Sequence, residues 1–146
     1  MDLTKEYPRS VHEKIAGVAQ IARTVDKGKA TLRGNVGDYH YNCSMDQAAF
    51  GFLGFDHEAL LEAIKSSKSD ADIEAYVKTF ADKKSPEEIG RWNREWLTRV
   101  PEGESLAYFL NLRNEIAPDR TDVVAWPDLL DLDEKRTVPK REPVNA

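Results

Sequence analysis

Apolar positions in this chain recur every three or four residues rather than every second one, the period of helices with one buried face. In Ser10–Arg33, Val11, Ile15, Val18, Ala22 and Val25 keep that spacing, and Ile21 widens the stripe. Ser10 ahead of Glu13 has capping-box spacing, so the first helix is expected to open at Ser10. Ser44 and Gln47 repeat the spacing ahead of Met45, Ala48, Ala49, Phe52 and Leu53, with Gly54 as the stop. Asp56 caps a helix buried through Leu60, Leu61 and Ile64, with Phe55 stapled against Leu60. Ser69 or Asp70 opens the next, which carries Ile73, Tyr76, Val77 and Phe80.

Ser85-Pro86-Glu87-Glu88 is the clearest start: a serine cap, proline in the first turn, then acids that suit the helix dipole. Ile89, Trp92, Trp96 and Val100 follow along one side. Leu106, Phe109, Leu110 and Ile116 mark a helix that ends before Pro118, and Trp126-Pro127 opens a short last one with Leu129, Leu130 and Leu132. Between the first two helices, Gly34, Asn35, Gly37 and Asp38 form turns, and Tyr39–Cys43 reads as a short extended arm. The pattern predicts an all-α fold, an irregular bundle of six or seven short helices. Residues 1–136 are expected to form one domain, and the proline-punctuated 137–146 a flexible tail.

With 146 residues and 40% hydrophobics the chain can bury a real core. A net charge of −5 argues against nucleic acid, whose phosphates call for basic surface. No apolar run approaches membrane-spanning length and Met1–Ser10 has no signal core, so a cytoplasmic protein with no membrane partner is expected. Cys43 is the single cysteine, which fits a reducing compartment and excludes an internal disulfide. Nothing resembles a glycine-rich phosphate loop, and neither a cofactor nor a metal is expected.

The apolar stripe of the first helix then meets charge. Carried onward at about 100° per residue, Asp26, Lys29 and Arg33 fall on or beside it. Either the helix stops near Gly28 and these charges are solvated, or Arg23, Asp26, Lys27 and Lys29 edge a polar cavity. In the cavity version, Arg23 and Lys27 approach the amides that open the helix at Ser44 and bind an anion there. Tyr39, Tyr41, Asn42 and Gln47 supply hydrogen bonds or an aromatic wall, and Asp26 or Asp46 moves a proton. The plain alternative is that Ser44 and Gln47 only cap, while Asp46 pairs with Arg23 or Lys27 as a structural brace.

Cys43, just before a helix start, is either a nucleophile with His40 as base or a small packed side chain. His40, Cys43 and Asp46 are close enough in sequence to suggest a metal, against a solvated histidine. Trp92 and Trp96 read as core, whereas Trp126, among polar neighbours, stays a ligand-binding candidate. Asp119–Glu134 holds six acids among leucines, either a partner surface or a solvated last helix.

LTKEYPRSVHEKIAG (Leu3–Gly17), RTVDKGKA (Arg23–Ala30), YHYNCSMDQ (Tyr39–Gln47) and RTDVVAWPDLLDLDE (Arg120–Glu134) together carry a family likeness. On these stretches the chain resembles an uncharacterised bacterial domain-of-unknown-function family of similar length. Its relatives often have proline at the positions of Val11 and Ser44, and arginine at that of Lys29. The resemblance implies a soluble, mostly helical bacterial protein, and it carries no activity or catalytic residues.

Two functional expectations follow. One is a small-molecule-binding protein, or a cofactor-independent enzyme, with a pocket for a small carboxylate or phosphate. It would use Arg23, Lys27, Tyr39, Tyr41, Asn42, Gln47 and Trp126 for binding, and Asp26, Cys43 and Asp46 for chemistry. The other is a non-catalytic interaction module that meets a protein partner, or a second copy of itself, through the acidic C-terminal segment.

Overall fold

The computed structural model describes residues 1–141. Seven helices form there: α1 (Ile21–Arg33), α2 (Ser44–Leu53), α3 (His57–Ser66), α4 (Asp70–Ala81), α5 (Pro86–Thr98), α6 (Glu104–Ile116) and α7 (Trp126–Asp133). No strand appears among the described residues beyond an isolated Ile15–Val18 bridge, so the fold is an all-α irregular bundle. The chain divides into two compact units, Met1–Asn93 and the residues from Arg94 on.

Helix α1 is the axis of the first unit. Every residue from Val18 to Gly28 is buried, charged ones included, because α2, α3 and the N-terminal segment wrap it. Its apolar side joins Ala49, Phe50 and Leu53 of α2, Leu60 and Ile64 of α3, and Ile73 and Val77 of α4 in one core. An aromatic chain extends that core: Phe55 meets Phe80 edge-on at 4.4 Å, and Phe52 stacks on Trp92 at 5.0 Å. Trp92 thus serves packing, and Asn93 ties α5 to the segment before α1 by accepting from the Ala19 amide and donating to the Gly17 carbonyl.

The first helix opens at Ile21 rather than Ser10. The expected capping box is absent, since Ser10 Oγ accepts from the His12 amide and Glu13 N–H donates to the Ser10 carbonyl. Ala16, Gly17 and Gln20 all take positive φ, at 53°, 80° and 76°, which breaks any helix through them. Val11, Ile15 and Val18 are nevertheless buried, because successive turns return the chain to the core at intervals close to those of a helix. Spacing reported burial there, not backbone conformation.

Nor does α1 stop at Gly28. It continues to Arg33 and ends at Gly34, whose φ of 73° makes a left-handed cap. Gly28 serves close packing instead: a Cβ there would lie 2.8 Å from Ile64 Cδ1 and 3.2 Å from Tyr41 Cε1. The second cap is displaced by one residue. Cys43 is the N-cap of α2, and Asp46 rather than Gln47 reaches back, accepting from Cys43 N–H. The expected arm at Tyr39–Cys43 is a turn, with Asn42 at φ 66°.

The starts at Asp56, Ser69 and Ser85 form as their sequences predict. Asp56 accepts from Ala59 N–H and Ser69 from Asp72 N–H, while Ser85 and Glu88 exchange both bonds of a capping box at 3.1 Å. In the second unit, Phe109, Val123, Leu129 and Val138 form the core, and Trp126 lies edge-on to Phe109 at 5.0 Å. Of the expected tail, 142–146 lie outside the described residues; within 137–141, Val138 is buried and Arg141 forms a forked pair with Asp128.

Candidate functional site

The residues singled out around α1 do come together in the first unit, in two linked buried clusters. The first centres on Asp46, whose side chain is fully buried. Lys27 Nζ lies 2.7 Å from its Oδ2, which also accepts from the Asn42 and Cys43 amides. The Thr24 hydroxyl and the Gln20 amide donate to Oδ1. Five donors therefore converge on one carboxylate. Lys27 Nζ also lies 3.3 Å from Cys43 Sγ, which places the thiol on the same ammonium.

The second cluster centres on Asp26, one residue back along α1. Arg9 grips it with its backbone amide at 2.8 Å and with two guanidinium nitrogens at 3.1 Å, a forked geometry suited to carboxylate. Arg23 donates to the Arg9 carbonyl and lies 5.5 Å from the Tyr39 ring centroid, over its face. Tyr41 packs beside Gly28 and donates its hydroxyl to the His57 carbonyl at 2.7 Å, joining the connector to α3. Burial, with Asp46 and Asp56 nearby, pushes the Tyr41 phenol well above its usual 10.

Of the two arrangements open on sequence, the contacts describe the brace. Asp46 pairs with Lys27 and Asp26 pairs with Arg9, so each of these buried carboxylates meets an opposite charge. Breaking such a pair leaves a charge stranded in the interior, so these groups hold α1, α2 and the N-terminal segment in register. Gln47 is exposed and donates to the Asn42 carbonyl, again a local tie. Trp126 is partly buried and packs against the second unit's core. His40 is exposed, and among the described residues no three His, Cys, Asp or Glu side chains are grouped to hold a metal.

Sequence reading missed a different feature, less than one turn farther along α1. A groove of about 610 Å³ opens between the end of α1, the α3–α4 junction and the N-terminal segment. Leu32, Ile64 and Ile73 give it apolar surface, and Lys29, Arg33, Lys65 and Lys68 give it four cations against Glu6 and Asp70. Lys29 pairs with Asp70 and holds that carboxyl below its ordinary range through hydrogen bond and charge. Arg33, Lys65 and Lys68 have no acidic partner among the described residues. The i,i+4 pair Lys29–Arg33 and the closely spaced Lys65 and Lys68 were the available signals; the first alone resembles any solvated helix face and the second any charged helix end.

The acidic segment of the second unit is also internally paired. Arg141 holds Asp128, Arg136 holds Asp131 and Glu134, and Arg120 holds Asp122. The Arg120 hydrogen bond, aided by the Arg141 amide, keeps the Asp122 carboxyl well below the usual range.

An all-helical chain with charge locked around a central helix and a basic groove beside it defines a structural class without an assigned chemistry. Over residues 5–136 it matches the domain of unknown function DUF5069, and the chain belongs to that family. No match was found among curated proteins. No helix among the described residues is long and apolar enough to cross a membrane.

Proposed function

We propose that this protein binds a small anionic molecule, a phosphate or carboxylate compound of the bacterial cytoplasm, and that the groove beside α1 is where it does so. The observation that carries the reading is the set of cations at that groove. Arg33, Lys65 and Lys68 stand around an open concavity with no acidic partner among the described residues, in a chain whose net charge is −5. Cations beside apolar surface favour an anion; Arg33 and Lys65 are carried on α1 and α3, and Lys68 on the junction between α3 and α4. A volume of about 610 Å³ lies within the range of small-molecule sites, roughly 300–1,000 Å³.

The residues first considered as ligands have a supporting part in this reading. The Asp26 and Asp46 clusters fix α1 against its neighbours, and α1 in turn presents Lys29 and Arg33. The lone cysteine fits a reducing compartment.

A thermal-shift screen with inorganic phosphate, sulfate and citrate tests it on the parent and on a Lys65→Ala/Lys68→Ala variant. The expected result is an anion-dependent rise in Tm for the parent that is lost or much reduced in the variant. Equal shifts in both proteins, or none in either, would discard the groove as the binding site.

A further inference from the structure

Resting on that reading, we infer that the groove's ligand is a small organic phosphomonoester, its doubly charged head among the cations and its carbon body over Leu32, Ile64 and Ile73. Charge is the first argument. Four cationic side chains against two acids leave a formal side-chain charge of +2, which a dianionic head neutralises and a single carboxylate or sulfate ester only halves. Asp70 already satisfies Lys29, so Arg33, Lys65 and Lys68 are the groups left to meet the head, with Glu6 opposing them. Shape is the second argument. Leu32 is 40% exposed, a large apolar side chain left in contact with solvent at the edge of a polar groove. Inorganic phosphate would cover none of that surface and would fill a small part of the volume. A ligand with a carbon body covers it and gains roughly 0.8 kcal/mol for each fully buried methylene.

This assignment has a consequence in pH. The charged groups of the lining residues are the Met1 α-amino group and Glu6 from the N-terminal segment, Lys29 and Arg33 from α1, Lys65 from α3, Lys68 from the α3–α4 junction and Asp70 from α4, with no histidine among them. The hydrogen bond and charge of Lys29 hold the Asp70 carboxyl below the ordinary carboxylate range. A phosphomonoester ligand loses its second proton near pH 6, so its own charge changes there.

Titration calorimetry with butyl phosphate, butyl sulfate and inorganic phosphate tests the assignment on the full chain. At about pH 7.5, where the phosphomonoester is a dianion, butyl phosphate is expected to bind about fivefold to tenfold tighter than the singly charged butyl sulfate. It should also bind about fivefold tighter than inorganic phosphate, through its carbon body. Lowering the pH to about 5.5, below the second phosphate ionisation, should remove most of the advantage over butyl sulfate. Lys65→Ala/Lys68→Ala should weaken butyl phosphate about tenfold or more while the urea midpoint stays unchanged. Equal affinity for the sulfate and phosphate esters would overturn the dianion assignment and leave the anion groove standing. Equal affinity for butyl phosphate and inorganic phosphate would overturn the carbon body alone. Binding of none of the three, or binding unchanged in the double variant, would overturn the groove together with its ligand.

Discussion

Helix α1 feeds two polar regions that use the same residue types and are put to opposite use. Toward its middle, Asp26 and Lys27 are buried and each is held by a partner brought from another segment, Arg9 or Asp46. Near its end, Arg33 is exposed, and Lys29 pairs with the exposed Asp70. A charge in the interior without a partner is unstable, so the buried region had to be completed within the chain. A charge at the rim is solvated at small cost and can wait for a ligand. Charge at sequence-adjacent positions therefore divides into architecture and recognition according to depth, and depth is set by what wraps α1.

Substitutions can break that contrast or sharpen it. Removing the carboxylate that collects five donors, Asp46→Ala, should have the largest effect, about 3–5 kcal/mol lost in urea denaturation, because Lys27 is left charged and buried. A loss below about 1 kcal/mol would mean the cluster is no brace. Gly28→Ala comes next. The added methyl would press on Ile64 and the Tyr41 ring, and overpacking of about 1–3 kcal/mol outweighs a helix-propensity gain of about 1 kcal/mol. A variant more stable than the parent would show that the α1–α3 contact yields freely.

Tyr41→Phe removes one buried hydrogen bond and should lower stability by about 1 kcal/mol at neutral pH. Its sharper signature is alkaline. The folded phenol titrates above its unfolded value, so its contribution is complete below about pH 10 and is lost as pH rises further. The parent should therefore lose stability in that range more steeply than Tyr41→Phe, and parallel curves would remove the assigned cause. At the rim the effects shrink. Lys29→Ala should change stability by less than about 0.5 kcal/mol, since the Lys29–Asp70 pair is exposed and screened. That small contribution is present above the ordinary carboxylate range and lost as pH falls through the lowered Asp70 value. Measured as the difference between parent and Lys29→Ala, it should also fade in high salt; a salt-independent loss above about 1 kcal/mol would place this pair with the buried ones.

How much could be read beforehand differs between elements for physical reasons. The starts at Asp56, Ser69 and Ser85 were legible because a cap is a local bargain among four consecutive residues. The start at Ser10 misled for the same reason: its local signals were sound, yet Ala16, Gly17 and Gln20 take positive φ because the segment folds back against Asn93 and Val11. The meeting of Lys27 with the opening of α2 was anticipated, but which acid each cation would take depended on Arg9, seventeen residues from Asp26 and outside any helix. The groove was not legible, since its four cations come from α1, α3 and the loop after α3, which approach only when α1 packs on α3.

By itself, then, the order of residues determined the helical class, the starts of α3, α4, α5 and α7 and much of the first unit's apolar core, because these depend on propensity, capping and periodicity over a few turns. Val100, by contrast, lies exposed beyond the end of α5, and Val138 of the expected tail is buried. Only the tertiary structure decided which charges are sealed and which are presented. That choice depends on desolvation, and desolvation is a property of the packed surroundings rather than of any neighbouring residues in the chain.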